Sequence, residues 1–423
     1  MSMTEQLNVQ ELHALFAAQL GNSTFPPPSS SRNASSHEGK GKGVRIPSKG
    51  PGRLCAASLS QSQVLQNLRT TDIIISSHPR SRNDPKMLDN SYVVCVITSQ
   101  ANEAIRALPN FPEPVKVLDP PAHEIRVHKD FGLGMFATRD LNVGDFIMAE
   151  RPLFIMARGL GVDAKTLDHA LDQMSDKRRD AFFALRNVKG YTRGPIQGIV
   201  DTNAIGMSGL PGHPQGAGVL CDEISRINHS CTPNSVWDWH LESFAMEIRA
   251  LRPIKKGEQI FGSYNNTLDP RDERREFLLR RYKFHCVCPS CALPDDESRT
   301  SDARRAKLKL VEKKGPPSGF GYLRFPMWLN GPGSDNEVID ECLEAIELME
   351  KEGVWPRNIW PPIFERLVIA YCCLEDAKNA TYWARRASAL YTAENSGDDG
   401  GWSAVAESPQ ELQEWWGARK HWR

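Results

Sequence analysis

The feature that most constrains this chain is a cluster of three cysteines within six residues, Cys286, Cys288 and Cys291. Structural zinc takes four tetrahedral thiolate or imidazole ligands, and one short loop with this spacing can supply several of them. A fourth ligand must then come from elsewhere. His285 directly precedes Cys286 and would reach the same ion only with strain, whereas Cys231 lies in a separate polar segment and is the better donor. The cluster therefore predicts a metal centre that joins two distant segments.

The cysteines are better explained as metal ligands or buried apolar residues than as disulfides. The first ten residues lack a basic start followed by an apolar run, so we expect no secretory signal. The sequence contains no apolar stretch of about 18 residues, so we expect no membrane span. We expect a nuclear or cytoplasmic location, where thiols stay reduced. The cysteines expected only to pack in the interior are Cys55, Cys95, Cys221, Cys342, Cys372 and Cys373.

The charge balance predicts no global attraction to a polyanion. The chain has 52 lysines and arginines and 52 aspartates and glutamates, so its formal net charge is zero. Without a net field, neither nucleic acid nor an anionic membrane is an expected partner. The oligomeric state is not predicted by any feature of the sequence.

The hydrophobic pattern divides the chain into four parts. Residues 1–60 are rich in Ser, Pro, Gly and Lys and are predicted to be mostly disordered, apart from a short helix over 7–20. A loose basic run over 40–53 is typical of a solvated linker, although a nuclear-localisation signal is an alternative. Residues 61–120 form a small extension of unknown role, with strand patterns at 72–75 and 92–97 and a proline-rich end.

The remaining two parts predict a mixed α+β protein. Residues 121–294 show short strands broken by turns, with a helical insert over 160–220. Within that insert the pattern predicts a helix over 164–187 and a loop over 194–218. Residues 300–423 show apolar residues at helical spacing, which predicts an all-α region compatible with TPR-like helix pairs.

Three further segments have motifs that ordinary structure could also explain. Residues 131–137 hold two glycines, which let backbone approach a ligand closely but also suit a tight turn. Residues 226–234 contain an Asn-His pair and could be a turn with a hydrogen-bonded histidine. Residues 257–265 place a glycine turn before a strand that ends at Tyr264, which could be a surface tyrosine.

Taken together and in this order, the segments resemble the SET-domain lysine methyltransferases, most closely the SMYD (SET and MYND) branch. The resemblance rests on the Asn-His-Ser-Cys-x-Pro-Asn string at 228–234, on the glycine-to-tyrosine run at 257–264 and on the cysteine cluster at 286–291. One departure is clear. The SMYD branch inserts a cysteine-rich MYND zinc finger after the segment matching 150–152, whereas residues 152–220 contain no cysteine. Partner binding through such a finger is therefore not expected.

The resemblance implies a SET-domain β-fold with knot-like C-terminal threading, an exception to the rule against threaded chains. It implies a structural zinc in the post-SET loop 282–294, held by Cys231, Cys286, Cys288 and Cys291. It implies contacts with S-adenosylmethionine at Phe131, Gly132, Leu133, Asn228, His229, Tyr264, Tyr282 and Phe284. Tyr264 is implied as the catalytic residue beside the methyl group, and Tyr282 as its catalytic companion in the lysine channel.

The chemistry that the resemblance implies is methyl transfer to the side-chain amine of lysine in a protein, histone or non-histone. The amine must be neutral to attack, yet free lysine has a pKa of about 10.4. An apolar channel lowers that pKa because it disfavours the ammonium, and we expect Tyr264, Tyr282 and Phe261 to supply its walls. A phenol pKa of about 10 suits a positioning role for Tyr264 better than that of a general base.

Two alternatives remain at this stage. The chain could be a non-catalytic SET scaffold that binds partners, or it could methylate a small-molecule amine. The sequence does not predict the substrate, the target lysine or the degree of methylation.

Overall fold

The computed structural model describes residues 72–78, 92–109, 111–129, 132–314 and 324–419. The predicted disorder, helix and basic run of residues 1–60 lie outside this part of the chain. The described strands are β1 (Ile73–His78), β2 (Val93–Thr98), β3 (His123–His128), β4 (Gly132–Ala137), β5 (Phe146–Glu150), β6 (Phe154–Ala157), β7 (Ile205–Met207), β8 (Ala217–Leu220), β9 (Asn228–His229), β10 (Ser235–His240), β11 (Ala245–Ala250) and β12 (Gln259–Gly262).

The described helices lie both among the strands and after the last strand. They are α1 (Ser99–Arg106), α2 (Ala164–Leu171), α3 (Asp176–Phe183), α4 (Pro195–Asn203), α5 (Arg271–Tyr282), α6 (Asp295–Lys314), α7 (Arg324–Leu329), α8 (Glu337–Glu352), α9 (Trp360–Cys373), α10 (Ala377–Glu394) and α11 (Trp402–Glu407). The mixed α+β class is confirmed.

The strands form three small sheets. The first has the order β1-β2-β6-β8-β7, the second β10-β11-β5 and the third β3-β4-β12-β9. In the third sheet β12 pairs antiparallel with β4 and parallel with β9, so that Phe261 lies opposite Asn228 and Gly262 opposite His229. This pairing brings three of the four sequence motifs side by side.

The strand β2 and the helix α1 share a core with the later strands. β2 pairs in parallel with β6, with Cys95 opposite Ile155, and every residue of β2 is buried. Side chains alternate between the faces of a strand. Cys95 accordingly packs in the cluster that contains Met135, while Val94 packs in the cluster that contains Phe154. Because both faces are covered, β2 is a continuous apolar run without polar alternation.

The insert differs from the sequence prediction in two places. The helix predicted over 164–187 is two helices, α2 and α3, because Asp172–Ser175 forms a turn between them. The prediction of a loop over 194–218 is wrong where α4 forms. This helix has Pro195 in its first turn, a favoured position for proline. Ile196, Ile199 and Val200 are buried on one face of α4, so the glycines and prolines of this segment bound the helix rather than exclude it.

The C-terminal region is helical, as predicted. α9 packs between α8 and α10, and its apolar residues, including Trp360 and Phe364, are fully buried. The region contacts the mixed part of the protein through α10, which lies against β10 and β11. Ser396 Oγ donates a hydrogen bond of 2.8 Å to Asp238 of β10. The TPR-like pairing stays a prediction.

Candidate functional site

The four predicted zinc ligands meet in one buried cluster. The sulfurs of Cys231, Cys286, Cys288 and Cys291 all lie within 4.8 Å of one another, and each cysteine is at most 9% exposed. The Cys231 and Cys291 sulfurs are 3.6 Å apart, close to the roughly 3.8 Å that a tetrahedron with Zn–S bonds of about 2.3 Å requires. His285 is exposed and stands outside the cluster. The donor set and its spacing therefore fit a structural zinc ion.

A left-handed residue explains how the cysteine loop leaves the preceding helix. α5 ends at Tyr282, and Lys283 follows with a φ of 61°. This conformation closes a helix and redirects the chain. The turn places Tyr282 and Phe284 against the cysteine cluster, where they pack with Tyr264.

His229 connects this cluster to the third sheet. The backbone N–H of Tyr264 donates a 3.0 Å hydrogen bond to His229 Nδ1, so Nδ1 must be the unprotonated nitrogen. Nε2 then bears the hydrogen and donates to the Cys231 sulfur at 3.3 Å. Burial lowers the pKa of His229 to about 4, which keeps the ring neutral. Both ring nitrogens are thus engaged within the protein.

Asn234, the last residue of the Asn-His motif, fixes the position of β12. Its side-chain oxygen accepts a 2.6 Å hydrogen bond from the N–H of Phe261, and its amide nitrogen donates to the carbonyl of Gln259 at 2.8 Å. Asn234 is fully buried, so these bonds face no competition from water. They hold the strand that leads to Tyr264.

The predicted cofactor residues gather near the start of β4. Asn228 donates a 3.0 Å hydrogen bond to the carbonyl of Leu133. Gly132 has a φ of 72° with open space around it, and Leu133 is 43% exposed. Phe131 lies outside the described residues. Gly132 thus lies where backbone faces an open surface beside the Asn-His motif, whereas Gly134 is buried against the side chains of Gln259 and Asn228.

A buried amide next to this surface lacks a partner. The side-chain nitrogen of Gln259 has no hydrogen-bond partner among the described residues and lies against Gly134. An unpaired buried donor is costly unless a ligand or water satisfies it. An open backbone surface with an unpaired donor fits a ligand with hydrogen-bond acceptors, as S-adenosylmethionine is.

Two tyrosines predicted from the sequence line one cavity. The ring centroids of Tyr264 and Tyr282 are 5.0 Å apart. Together with Ile227 and Trp237 they border a cavity of about 160 Å³. The hydroxyl of Tyr264 donates a 2.5 Å hydrogen bond to the carbonyl of Ile227, which fixes the phenol at the cavity wall.

One aromatic wall of this cavity differs from the sequence prediction, because Trp237 stands where Phe261 was expected. Phe261 is not among the residues that border the cavity, whereas Trp237 is. Trp237 lies on β10, next to β12. No local motif distinguishes it from Trp239 two residues later; only the packing of β10 against β12 selects it.

A larger groove of about 470 Å³ adjoins the small cavity. Gly206, Trp237 and Ser263 border both spaces. The groove runs between β10 and the C-terminal helical region, whose wall includes Trp355 and Arg357. The tyrosine-lined cavity therefore lies next to a space formed by two parts of the chain.

Glu150 is a further residue that sequence analysis missed. Its carboxylate accepts hydrogen bonds from the backbone N–H groups of Asp222, Glu223 and Ile224, at 2.5, 3.1 and 3.0 Å. Burial raises the pKa of Glu150 to about 7, while these N–H groups act in the opposite direction. The bonds anchor the turn that precedes the Asn-His motif.

The remaining cysteines of the described residues are buried away from this cluster, as predicted, and Cys55 lies outside the described residues. Within the described chain, no helix combines the length and the apolar composition needed to cross a bilayer.

Known proteins match the region that forms this site. Residues 132–265 match the SET domain family. Histone-lysine N-methyltransferase set5 of Schizosaccharomyces pombe is 32% identical over 183 residues, which are 43% of this chain and 54% of that protein. N-lysine methyltransferase SMYD2 is 33% identical over 95 residues in Homo sapiens and 31% identical over 96 residues in Gallus gallus. These two matches cover 22% and 23% of this chain and 20% of each relative.

The chain thus spans about half the length of the set5 relative and a fifth of the SMYD2 relatives. Among solved structures, that of DIM-5, a Neurospora SET domain protein and histone lysine methyltransferase, is 20% identical. The match covers 34% of this chain and 52% of that one, with a TM-score of 0.19. The family match confirms that the chain contains a SET domain, as the motifs predicted.

Proposed function

We propose that the SET domain of this chain transfers a methyl group from S-adenosylmethionine to the side-chain amine of a lysine in a protein substrate. The observation that supports this most is the cavity bordered by Tyr264 and Tyr282, which lies beside the Asn-His motif and adjoins a larger groove. The names of the relatives, histone-lysine and N-lysine methyltransferases, support the same activity. Both histone and non-histone substrates are included in the proposal.

The cavity suits an uncharged amine. Transfer of an ammonium from water into a small space walled by aromatic and aliphatic side chains is costly, so such a space lowers the pKa of the amine. Ile227, Trp237 and the two tyrosines provide the aromatic and aliphatic part of these walls, next to polar residues that include Thr202, Asn203 and Ser263. A lysine side chain that enters here is therefore shifted towards the neutral form that can attack a methyl group.

Tyr264 positions the reacting groups and does not act as a base. Burial, with a further contribution from Tyr282, raises the pKa of Tyr264 above its usual value, so the phenol keeps its proton. That proton is donated to the carbonyl of Ile227, which leaves the oxygen free to accept a hydrogen bond from the incoming amine. Holding reactants in line can lower a barrier by about 7–11 kcal/mol.

The cofactor would lie along Gly132, Leu133, Asn228 and His229, with Phe284 beside the adenine, and Phe131 is proposed with them. S-adenosylmethionine supplies, when bound, a methyl group on a positively charged sulfur. The unpaired amide of Gln259 is available to donate to an acceptor of this ligand. Tyr264 and Tyr282 would form the boundary between this surface and the lysine cavity.

The zinc ion has a structural role in this proposal. Cys231 belongs to the Asn-His motif, whereas Cys286, Cys288 and Cys291 follow α5. One ion bound to all four would hold Tyr282 and Phe284 against Tyr264, because these rings pack directly on the cluster. Metal binding and the shape of the lysine cavity are thus coupled.

The groove favours a polypeptide substrate over a small-molecule amine. At about 470 Å³ it is about three times the size of the cavity that it adjoins. Three tryptophans, Trp237, Trp239 and Trp355, border it. Much of a groove of this size, with both apolar and polar lining residues, would be unused by a small amine but can bind the residues that flank a lysine.

The test incubates the purified protein with radiolabelled S-adenosylmethionine and a cell lysate, followed by identification of the labelled proteins and residues. We expect label on lysine side chains with wild-type protein and its loss with Tyr264→Phe. Calorimetry establishes separately that the cofactor binds both proteins. If both proteins bind the cofactor and neither labels any protein, the non-catalytic scaffold is favoured instead. Label confined to a small molecule would favour the amine alternative.

A further inference from the structure

Two buried arginines lie against the cysteine cluster. The side chains of Arg274 on α5 and Arg305 on α6 are both fully buried. Arg274 and Arg305 donate to the same hydroxyl, that of Ser290, at 3.1 and 2.9 Å. Ser290 directly precedes the ligand Cys291. Both guanidinium groups therefore contact the loop that would bind the metal.

These arginines match the charge of a tetrathiolate zinc site. Four thiolates around one Zn²⁺ leave two uncompensated negative charges, and buried charges require partners. The Arg305 guanidinium also donates to the backbone carbonyls of Cys231 and Thr267. Two positive groups thus face the two excess negative charges.

A carboxylate from the C-terminal helical region holds one of these arginines. Glu352, at the end of α8, accepts a 2.8 Å hydrogen bond from Arg305 Nε, and its second oxygen accepts one from Arg304 at 2.5 Å. The hydroxyl of Ser301 also donates to it. Its side chain is 2% exposed.

A contribution to the folding stability of the protein does not account for a buried ion pair of this kind. Replacing such a pair by apolar residues is often neutral or stabilising, because desolvation offsets the attraction. Its consequence here is geometric: Glu352 keeps a charged guanidinium at Ser290 despite the neighbouring Arg274. Groups that surround metal ligands commonly tune affinity by about 10–100-fold.

We propose that Glu352 of the C-terminal helical region is a positioning residue for the zinc site, which holds Arg305 against the cysteine loop so that the cluster retains its metal. The inference rests on the zinc site of the proposed function. It predicts that a residue far from the ligands in sequence sets the rate of zinc loss.

The test uses the full-length protein purified with zinc and measures its zinc content and the rate of zinc transfer to a chromogenic chelator. We expect Glu352→Gln to release zinc about 10–100-fold faster than wild type. The matched control is Glu350→Gln on the same helix, because Glu350 is exposed and pairs with Arg386 at 2.7 Å instead of with the buried arginines; its release rate should equal that of wild type. In cobalt-substituted protein, the thiolate-to-cobalt absorption band should shift for Glu352→Gln only.

A folded Glu352→Gln protein that releases zinc at the wild-type rate would overturn the inference while the zinc site itself stands. If circular dichroism shows that this variant does not fold, Ser290→Ala is measured instead. This substitution removes the hydroxyl that accepts from Arg274 and Arg305 and keeps both arginine charges. Zinc release from Ser290→Ala at the wild-type rate would then overturn it. Wild-type protein purified without zinc would refute the metal site, and the inference with it.

Discussion

The indole of Trp237 lies directly on Gly262, leaving no room for a β-carbon between the ring and strand β12. Gly262 is two residues before Tyr264, so this contact sets the distance between the tryptophan and the tyrosine across the cavity. The glycine in the motif is therefore required by a ring that comes from another strand.

Gly262→Ala should displace Trp237 and narrow or distort the cavity. Overpacking of this kind costs about 1–3 kcal/mol of stability, and a shift of about 1 Å near reacting groups can cost about 100-fold in rate. We expect methyl transfer to fall by that order, as measured by incorporation of labelled methyl groups. Gly161→Ala, at a glycine with open space around it, should behave as wild type. Full activity of Gly262→Ala would show that the contact is not needed.

Tyr264→Phe should lower the rate of methyl transfer by about 100- to 1000-fold, the usual cost of losing one fixed hydrogen-bonding group. The affinity for S-adenosylmethionine, measured by calorimetry, should stay unchanged because the ring remains. Tyr382→Phe, at an exposed tyrosine of α10, is the control. A rate within error of wild type would exclude the hydroxyl of Tyr264 from the reaction.

Cys288→Ser should lower zinc content and cofactor affinity together. Loss of one thiolate weakens the tetrahedral site, and release of the loop moves Tyr282 and Phe284, which pack on the cluster. Elemental analysis and calorimetry measure the two quantities. Cys342→Ala, which removes a buried cysteine remote from the cluster, should retain zinc. An unchanged metal content in Cys288→Ser would contradict the assigned ligand set.

Because His78 is buried, the free energy of unfolding of the protein should decrease in mild acid. Burial lowers the pKa of His78 to about 4 from its ordinary 6.5, and the side chain of Asn102 acts in the opposite direction. The folded protein keeps the ring neutral while the unfolded chain binds a proton below pH 6.5, so this contribution to stability is lost as the pH falls towards 4. Glu150 and Glu394, whose pKa values burial raises to about 7, act in the opposite sense.

Comparison with His78→Phe isolates the effect of this single group. The variant keeps an aromatic ring beside Phe111 and Phe244 but cannot titrate. Between about pH 7 and about pH 5.5, the unfolding free energy of wild type should drop by about 1 kcal/mol relative to the variant. Urea denaturation measures both values. A difference that does not change with pH would show that His78 takes up protons in the folded state.

The groups that the sequence identified share a local signal. Cys286, Cys288 and Cys291 have the spacing of a metal-binding loop. In the structure their sulfurs form one cluster with that of Cys231. The segments around His229 and Tyr264 were likewise recognisable as short motifs. Metal ligands and turns are specified over a few residues, so a single sequence suffices to predict them.

The site residues that the sequence did not predict, Trp237 and Glu150, have no such local sequence motif. Trp237 faces the cavity because β10 packs on β12, and Phe261 does not line the cavity even though it belongs to the motif strand. Glu150 reaches the turn at 222–224, more than 70 residues away. The loop predicted over 194–218 failed because burial of one face of α4 outweighed its glycines and prolines.

By itself the sequence determined the candidate groups of the site, namely the cysteines, the tyrosines and the Asn-His motif, and the alternation of short strands with a helical tail. Only the tertiary structure decided the shape of the candidate site, that is, which walls border the tyrosine-lined cavity, where the groove runs and how Glu352 reaches the cysteine loop. The reason is physical. Ligand spacing and turn formation depend on neighbours in sequence, whereas a cavity is the space left by side chains from distant segments, and its walls are fixed only when these segments pack.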